Sequence, residues 1–151
     1  MRNIVVKVGV FSLFLFMSVY SGSALLHAQR VSDASVSLRY DGLYFDHFDD
    51  GTAGGTYLRF YPDGVVVSVH SIGAPQKVAL WLTREHPNAA KGAYKIQGSK
   101  IAFSTTVVFR GKADPPDDFK GSIEDNGATL VLYGQDPKRS RKYRFIELPV
   151  K

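Results

Sequence analysis

The stretch Tyr57-Leu-Arg-Phe-Tyr-Pro-Asp-Gly-Val-Val-Val-Ser-Val-His70 narrows what this chain can become more than any other. Aromatic and β-branched residues fill both arms, the composition of strands on a half-buried pleated surface. Pro62 sets φ for the first corner of a turn, and Gly64 can take the positive φ that closes it. The stretch therefore predicts two strands and a tight turn. Alternate residues of a strand share a face, so Tyr57, Arg59 and Tyr61 lie on one side of the first arm and Leu58 and Phe60 on the other.

The remaining chain repeats this pattern. A first strand is expected over Val36–Phe45, followed by turn composition from His47 to Gly55. After the hairpin, Pro75 suits a first helical turn, and Val78, Trp81 and Leu82 recur at helical spacing. This predicts one short helix over Pro75–Leu82, with a strand as the alternative that a short apolar run leaves open. Gly92–Ile96 then turns at Gln97-Gly98-Ser99 into a strand over Lys100–Phe109. Gly111–Asp118, with two prolines and three aspartates, reads as a surface loop. Phe119–Glu124 turns at Asn126-Gly127, a two-residue hairpin signal, into Thr129–Tyr133. Gly134–Arg141 is polar, and Lys142–Leu148 is the closing strand.

About eight strands and one short helix result. With no long helices to make parallel crossovers, the sheet is antiparallel. A meander of this size must hide its edges, and closing on itself does so completely. The expected fold is all-β, an up-and-down antiparallel barrel, with a sandwich as the alternative. Gly42, Gly92 and Gly121 each precede a large strand residue, where glycine allows the bend that closure needs.

The N-terminus reads as a signal peptide over residues 1–28. Arg2 and Lys7 form a basic start, Val8–Tyr20 is apolar apart from two serines, and Ser21-Gly-Ser-Ala24 supplies small residues. Cleavage is expected after Ala24 or Ala28, leaving one domain over residues 29–151. The alternative is an uncleaved anchor, since no charge appears from Val8 to Leu26. Either way the domain is expected outside the cytoplasm, periplasmic or secreted. The 151-residue chain has no cysteine, which excludes disulfides, thiol catalysis and cysteine-ligated metal. Removing Arg2 and Lys7 from the 19 basic residues leaves 17 against 14 acidic ones. That balance gives no reason to expect nucleic acid.

Tyr57-Leu-Arg-Phe-Tyr-Pro-Asp-Gly64, Trp81-Leu82 and Lys91-Gly-Ala-Tyr-Lys-Ile96 together resemble a small lipocalin-like (calycin-type) β-barrel domain. Similar runs occur in exported bacterial proteins of unknown function and in the C-terminal domain of some F-box proteins. The resemblance covers roughly Leu38 to Leu148. It implies a barrel with a central cavity and no catalytic set. Tyr40-Asp-Gly-Leu-Tyr44 stands where true lipocalins carry glycine-x-tryptophan, so the resemblance carries fold rather than a transport role.

The candidate sites are weak as motifs. Asp46, His47, Asp49 and Asp50 cluster, as do Asp114, Asp117 and Asp118, but neither matches a metal-ligand spacing, and both suit wet loops. His70 and His86 have no predicted base-orienting partner. No nucleophile elbow, zinc-protease helix or phosphate loop is present. No cofactor, metal or catalytic residue is expected. The favoured reading is a non-enzymatic barrel binding a small apolar or amphipathic ligand, through Tyr57, Arg59 and Tyr61 facing inward together with Arg144. The alternative is a cell-envelope protein–protein module, an inhibitor or assembly factor, using the basic residues Lys138, Arg139 and Arg141. A small hydrolase is a further alternative. Membrane contact is expected only if the N-terminal segment is retained.

Overall fold

The computed structural model describes residues 37–48, 51–134, 136 and 138–148. The signal-peptide segment, Asp49 and Asp50 lie outside the described residues. Strand-forming runs with period-two alternation give β1 (Gly42–His47), β2 (Gly55–Phe60), β3 (Val65–Ser71), β4 (Ala90–Gln97) and β5 (Lys100–Thr106). Two short strands follow, β6 (Val108–Phe109) and β7 (Lys112–Ala113), then β8 (Asp117–Glu124), β9 (Thr129–Tyr133) and β10 (Ser140–Glu147). The helix α1 spans Pro75–Trp81.

Eight of these strands close into an antiparallel barrel in the order β1-β10-β9-β8-β5-β4-β3-β2, and β6–β7 is a separate hairpin. Consecutive barrel strands are neighbours, and Leu43↔Ile146 and Tyr44↔Phe145 seal β1 to β10. The all-β meander read from the sequence is therefore the fold. At Gly92 and Gly121, a Cβ would lie 1.6 Å from the Ser104 carbonyl oxygen and 1.9 Å from that of Val131. Neighbouring strands approach so closely there that only glycine fits.

Four local expectations change. The first strand starts at Gly42 rather than Val36; among the described residues before it, Leu38 instead inserts into the barrel core at 2% exposure. The run Lys100–Phe109 does not stay one strand. Arg110 (φ 50°) and Gly111 (φ 78°) make a left-handed turn that folds Val108–Phe109 onto Lys112–Ala113, so the expected loop 111–118 holds β7 and the start of β8. The β8–β9 connection is not a two-residue hairpin: the register Glu124↔Thr129 leaves Asp125–Ala128 between the strands, with Asp125, Asn126 and Gly127 all at positive φ. The closing strand begins at Ser140, two residues before the expected start.

Two apolar clusters lie on opposite sides of the wall. Tyr44, Leu58, Phe60, Val66, Ile101, Phe103, Ile123, Leu130 and Tyr143 fill the interior. Leu43, Tyr57 and Val67 form the second cluster with Val78, Leu82 and Ala89, where α1 and the segment after it cover the outside of β1–β3. Pro75 at the helix start and Val78 as the buried contact are the features that the sequence pattern marked.

Candidate functional site

The connections differ between the two ends of the barrel. At one end the links are short: the turn after Phe60, Gly98-Ser99, and Asp125–Ala128. Leu38 closes this end, and the Tyr44 hydroxyl accepts from the Arg39 backbone N–H (3.0 Å) and donates to the Gly127 carbonyl (2.7 Å). The Arg39 guanidinium lies 4.0 Å above the Phe145 ring. At the other end the β1–β2, β3–β4, β5–β8 and β9–β10 connections are longer, and the interior opens into a cup of about 460 Å³.

The alternation that points Leu58 and Phe60 inward also points Thr56 inward, one step nearer the mouth. Register sets Thr56 opposite His70, Ser68 opposite Ala90, and Thr105 opposite Asp117. All six line the cup, together with Phe119, Tyr143 and Arg141. Thr56 Oγ1 lies 2.9 Å from His70 Nδ1, and the Tyr143 side chain lines the cup with them. Arg141 Nε donates to Asp46 Oδ2 at 2.5 Å, and its Nη2 donates to the His47 carbonyl at 3.1 Å.

Electrostatics follow from this placement. Burial pushes the Tyr143 hydroxyl up to about 12, so it is a neutral hydrogen-bonding group at any ordinary pH. The His70 imidazole is held below its ordinary value, first by desolvation and then by the Arg141 charge, with Asp117 opposing. Above that lowered value His70 is neutral, and the acidic and basic side chains that line the cup with it are Arg141, Asp117 and Asp118. No buried side-chain polar atom among the described residues lacks a partner.

The residues singled out from sequence divide between several places. Tyr57, Arg59 and Tyr61 are on the outward side of β2 and beyond it, not facing the interior. The Tyr57 hydroxyl donates to the Gly73 carbonyl at 2.6 Å. Arg59 Nη1 donates to the carbonyls of Ala79 (3.3 Å) and Leu82 (3.1 Å) at the end of α1. The Arg84 guanidinium covers the Tyr61 ring at 4.0 Å and pairs with Asp63. Arg144 is exposed on the outside of β10, opposite Phe45 and Thr129. The cup thus contains none of these four. The reason is phase: helix α1 makes the outward face of β2 as buried as the inward one, so burial alone did not identify the interior.

Lys138 and Arg139 are exposed on the β9–β10 connection and border a crevice beside the cup, whereas Arg141 turns into it. His86 lies outside, its ring 4.8 Å from that of Trp81. Asp117 faces the cup, while Asp118, one residue on, accepts a hydrogen bond from Ser104 on the outer face. Among the described residues no three histidine or acidic side chains come together as metal ligands. The cup residues Thr56, Ser68 and Thr105 were not singled out from sequence. Their signal was available: each is a polar group in phase with the core residues of its strand. Comparison with protein-family models, curated proteins and solved structures finds no match.

Proposed function

We propose that this protein is an exported, non-enzymatic, lipocalin-like barrel that holds a small amphipathic ligand in the cup at its open end. The single observation that carries the reading is the asymmetry of the interior. One half is filled by aromatic and aliphatic side chains, and the other is a cavity of about 460 Å³ with a mixed polar and apolar wall, within the size range of small-molecule sites. Phe119 and the Tyr143 ring offer apolar wall, while Arg141, His70 and the hydroxyls offer directional contacts. The filled half leaves no channel for a long alkyl chain, which favours a compact ligand.

Binding is favoured over hydrolysis by the state of the Thr56–His70 pair. A hydroxyl nucleophile beside an imidazole is a catalytic arrangement when the base is oriented by a third group and the oxygen is reachable. Here Thr56 is 2% exposed, its hydroxyl already engages the His70 ring, and among the described residues no carboxylate is hydrogen-bonded to His70. The envelope-partner reading keeps one supporting observation: Lys138 and Arg139 stand exposed at the rim, free of the inward packing that engages Arg141.

Anilinonaphthalene sulfonate, a compact anionic amphiphile, is the probe that tests the cup. It is expected to bind saturably at one site, and Ala90→Phe, which fills the cavity from β4, is expected to abolish the fluorescence gain without loss of the folded state. Absence of saturable binding, together with no co-purifying small molecule in native mass spectrometry, would sink the reading. Retained binding in Ala90→Phe would place the ligand elsewhere.

A further inference from the structure

The outer wall of β4, β5, β8, β9 and β10 carries a feature independent of the cup. Register places Lys95, Ala102, Lys120 and Tyr133 in one row across four strands. The adjacent row holds Lys100, Ser122, Val131 and Lys142. All four lysines are exposed, and none of them forms an ion pair with a described residue. Arginines take the carboxylates instead: Arg39 pairs with Asp41 and Glu147, Arg84 with Asp63, and Arg141 with Asp46.

Lys95, Lys100 and Lys120 border a shallow crevice floored by Ala102 and Gly121, with Tyr133 at its edge. Among the described residues no carboxylate lines it. On the same wall, Asp118 bounds the lysine block beyond the first row and Glu124 beyond the second, and both accept serine hydrogen bonds, from Ser104 and Ser122. The strip is thus two rows wide, about 7 Å along the strands, and Lys95 and Lys120 stand about 10 Å apart across β5. Like charges held together without counter-charge repel, and a bound anion relieves that repulsion.

We propose that this crevice binds a linear anionic polysaccharide, its sulfate or carboxylate groups meeting Lys95 and Lys120 with Lys100 between them. Two observations select this class. Single-stranded nucleic acid needs successive aromatic platforms for its bases. On these five strands Tyr94, Phe103, Phe119 and Phe145 all pack against the interior, leaving Tyr133 alone on the outer wall. A lipid surface favours apolar side chains that enter the interface beside the cations, and the crevice floor offers alanine and glycine.

A fluorescently labelled heparin oligosaccharide, titrated by anisotropy into the full-length mature protein, tests the proposal. With three lysines engaged, log K should fall against log salt with a slope of about −2. Lys95→Ser/Lys120→Ser should weaken binding at low salt by about tenfold or more and bring the slope to about −0.7. Lys138→Ser/Arg139→Ser should leave binding unchanged, and the crevice variant should keep its uptake of anilinonaphthalene sulfonate, so this site and the cup fail separately. Unchanged affinity in Lys95→Ser/Lys120→Ser would overturn the proposal. Tighter binding of an oligothymidylate, or of phosphatidylglycerol vesicles, than of the oligosaccharide would overturn it too.

Discussion

Arg59 occupies the strand position that most invites a ligand, between two tyrosines, and its guanidinium is engaged by a helix end. The last carbonyls of a helix have no intrahelical partner, and a cation there also meets the negative end of the helix dipole. Two donations from Nη1, to Ala79 and Leu82, tie the seven-residue α1 to β2. A helix this short gains its stability from such tertiary contacts. Arg59→Met keeps the aliphatic stem but removes both bonds, and is expected to lower stability by about 1–2 kcal/mol. Urea unfolding checks this: the midpoint should fall with the slope unchanged, while uptake of anilinonaphthalene sulfonate stays as it was. A variant of undiminished stability that no longer takes up the probe would return Arg59 to the ligand. The role was illegible in sequence because a capping arginine twenty residues from its acceptor leaves no local spacing to read.

The strands and turns of this chain were legible wherever a local rule was strong. The Pro-Asp-Gly hairpin, the helix beginning at Pro75 and the glycines before large strand residues all appear where their chemistry places them. The failures have two causes. At Val107 a continuous run of strand-forming residues leaves the barrel because Arg110 takes a left-handed conformation that propensity does not assign to arginine. Elsewhere, period two states which residues share a face but not which face is inside, and a helix laid on the outer wall made the wrong choice look equally apolar. The glycine rule gives a prediction at this scale. Gly92→Ala drives a Cβ to 1.6 Å from the Ser104 carbonyl oxygen, and backbone must move to admit it. Denaturant unfolding should show a loss of about 3 kcal/mol or more. Gly134→Ala, where no heavy atom lies within 4 Å, should change stability by about 0.5 kcal/mol at most. Equal effects at the two sites would mean that β4 and β5 are not held as closely as described.

At the scale of the whole molecule, the barrel closes by burying tyrosines from both sides of its wall, and this ties its stability to alkaline pH. Tyr44 and Tyr143 inside and Tyr57 under the helix are each 1% exposed. Burial pushes Tyr44 and Tyr143 up to about 12 and raises Tyr57 as well. An unfolded tyrosine ionises near pH 10. Between about pH 10 and about pH 12 the unfolded chain therefore binds fewer protons than the folded one, so stability falls as pH rises. The contribution is fully present below about pH 10 and is lost as pH climbs through the folded-state value. Tyr143 alone accounts for about 3 kcal/mol of that loss. Tyr143→Phe is expected to begin within about 1 kcal/mol of the parent protein's stability and then to decline less steeply with pH. Denaturant midpoints taken from about pH 8 upward, with tyrosinate absorbance recorded in parallel, measure both effects. Ionisation of all tyrosines near pH 10 in the still-folded protein would contradict the closed interior, and with it the division of the barrel into a filled half and an open cup.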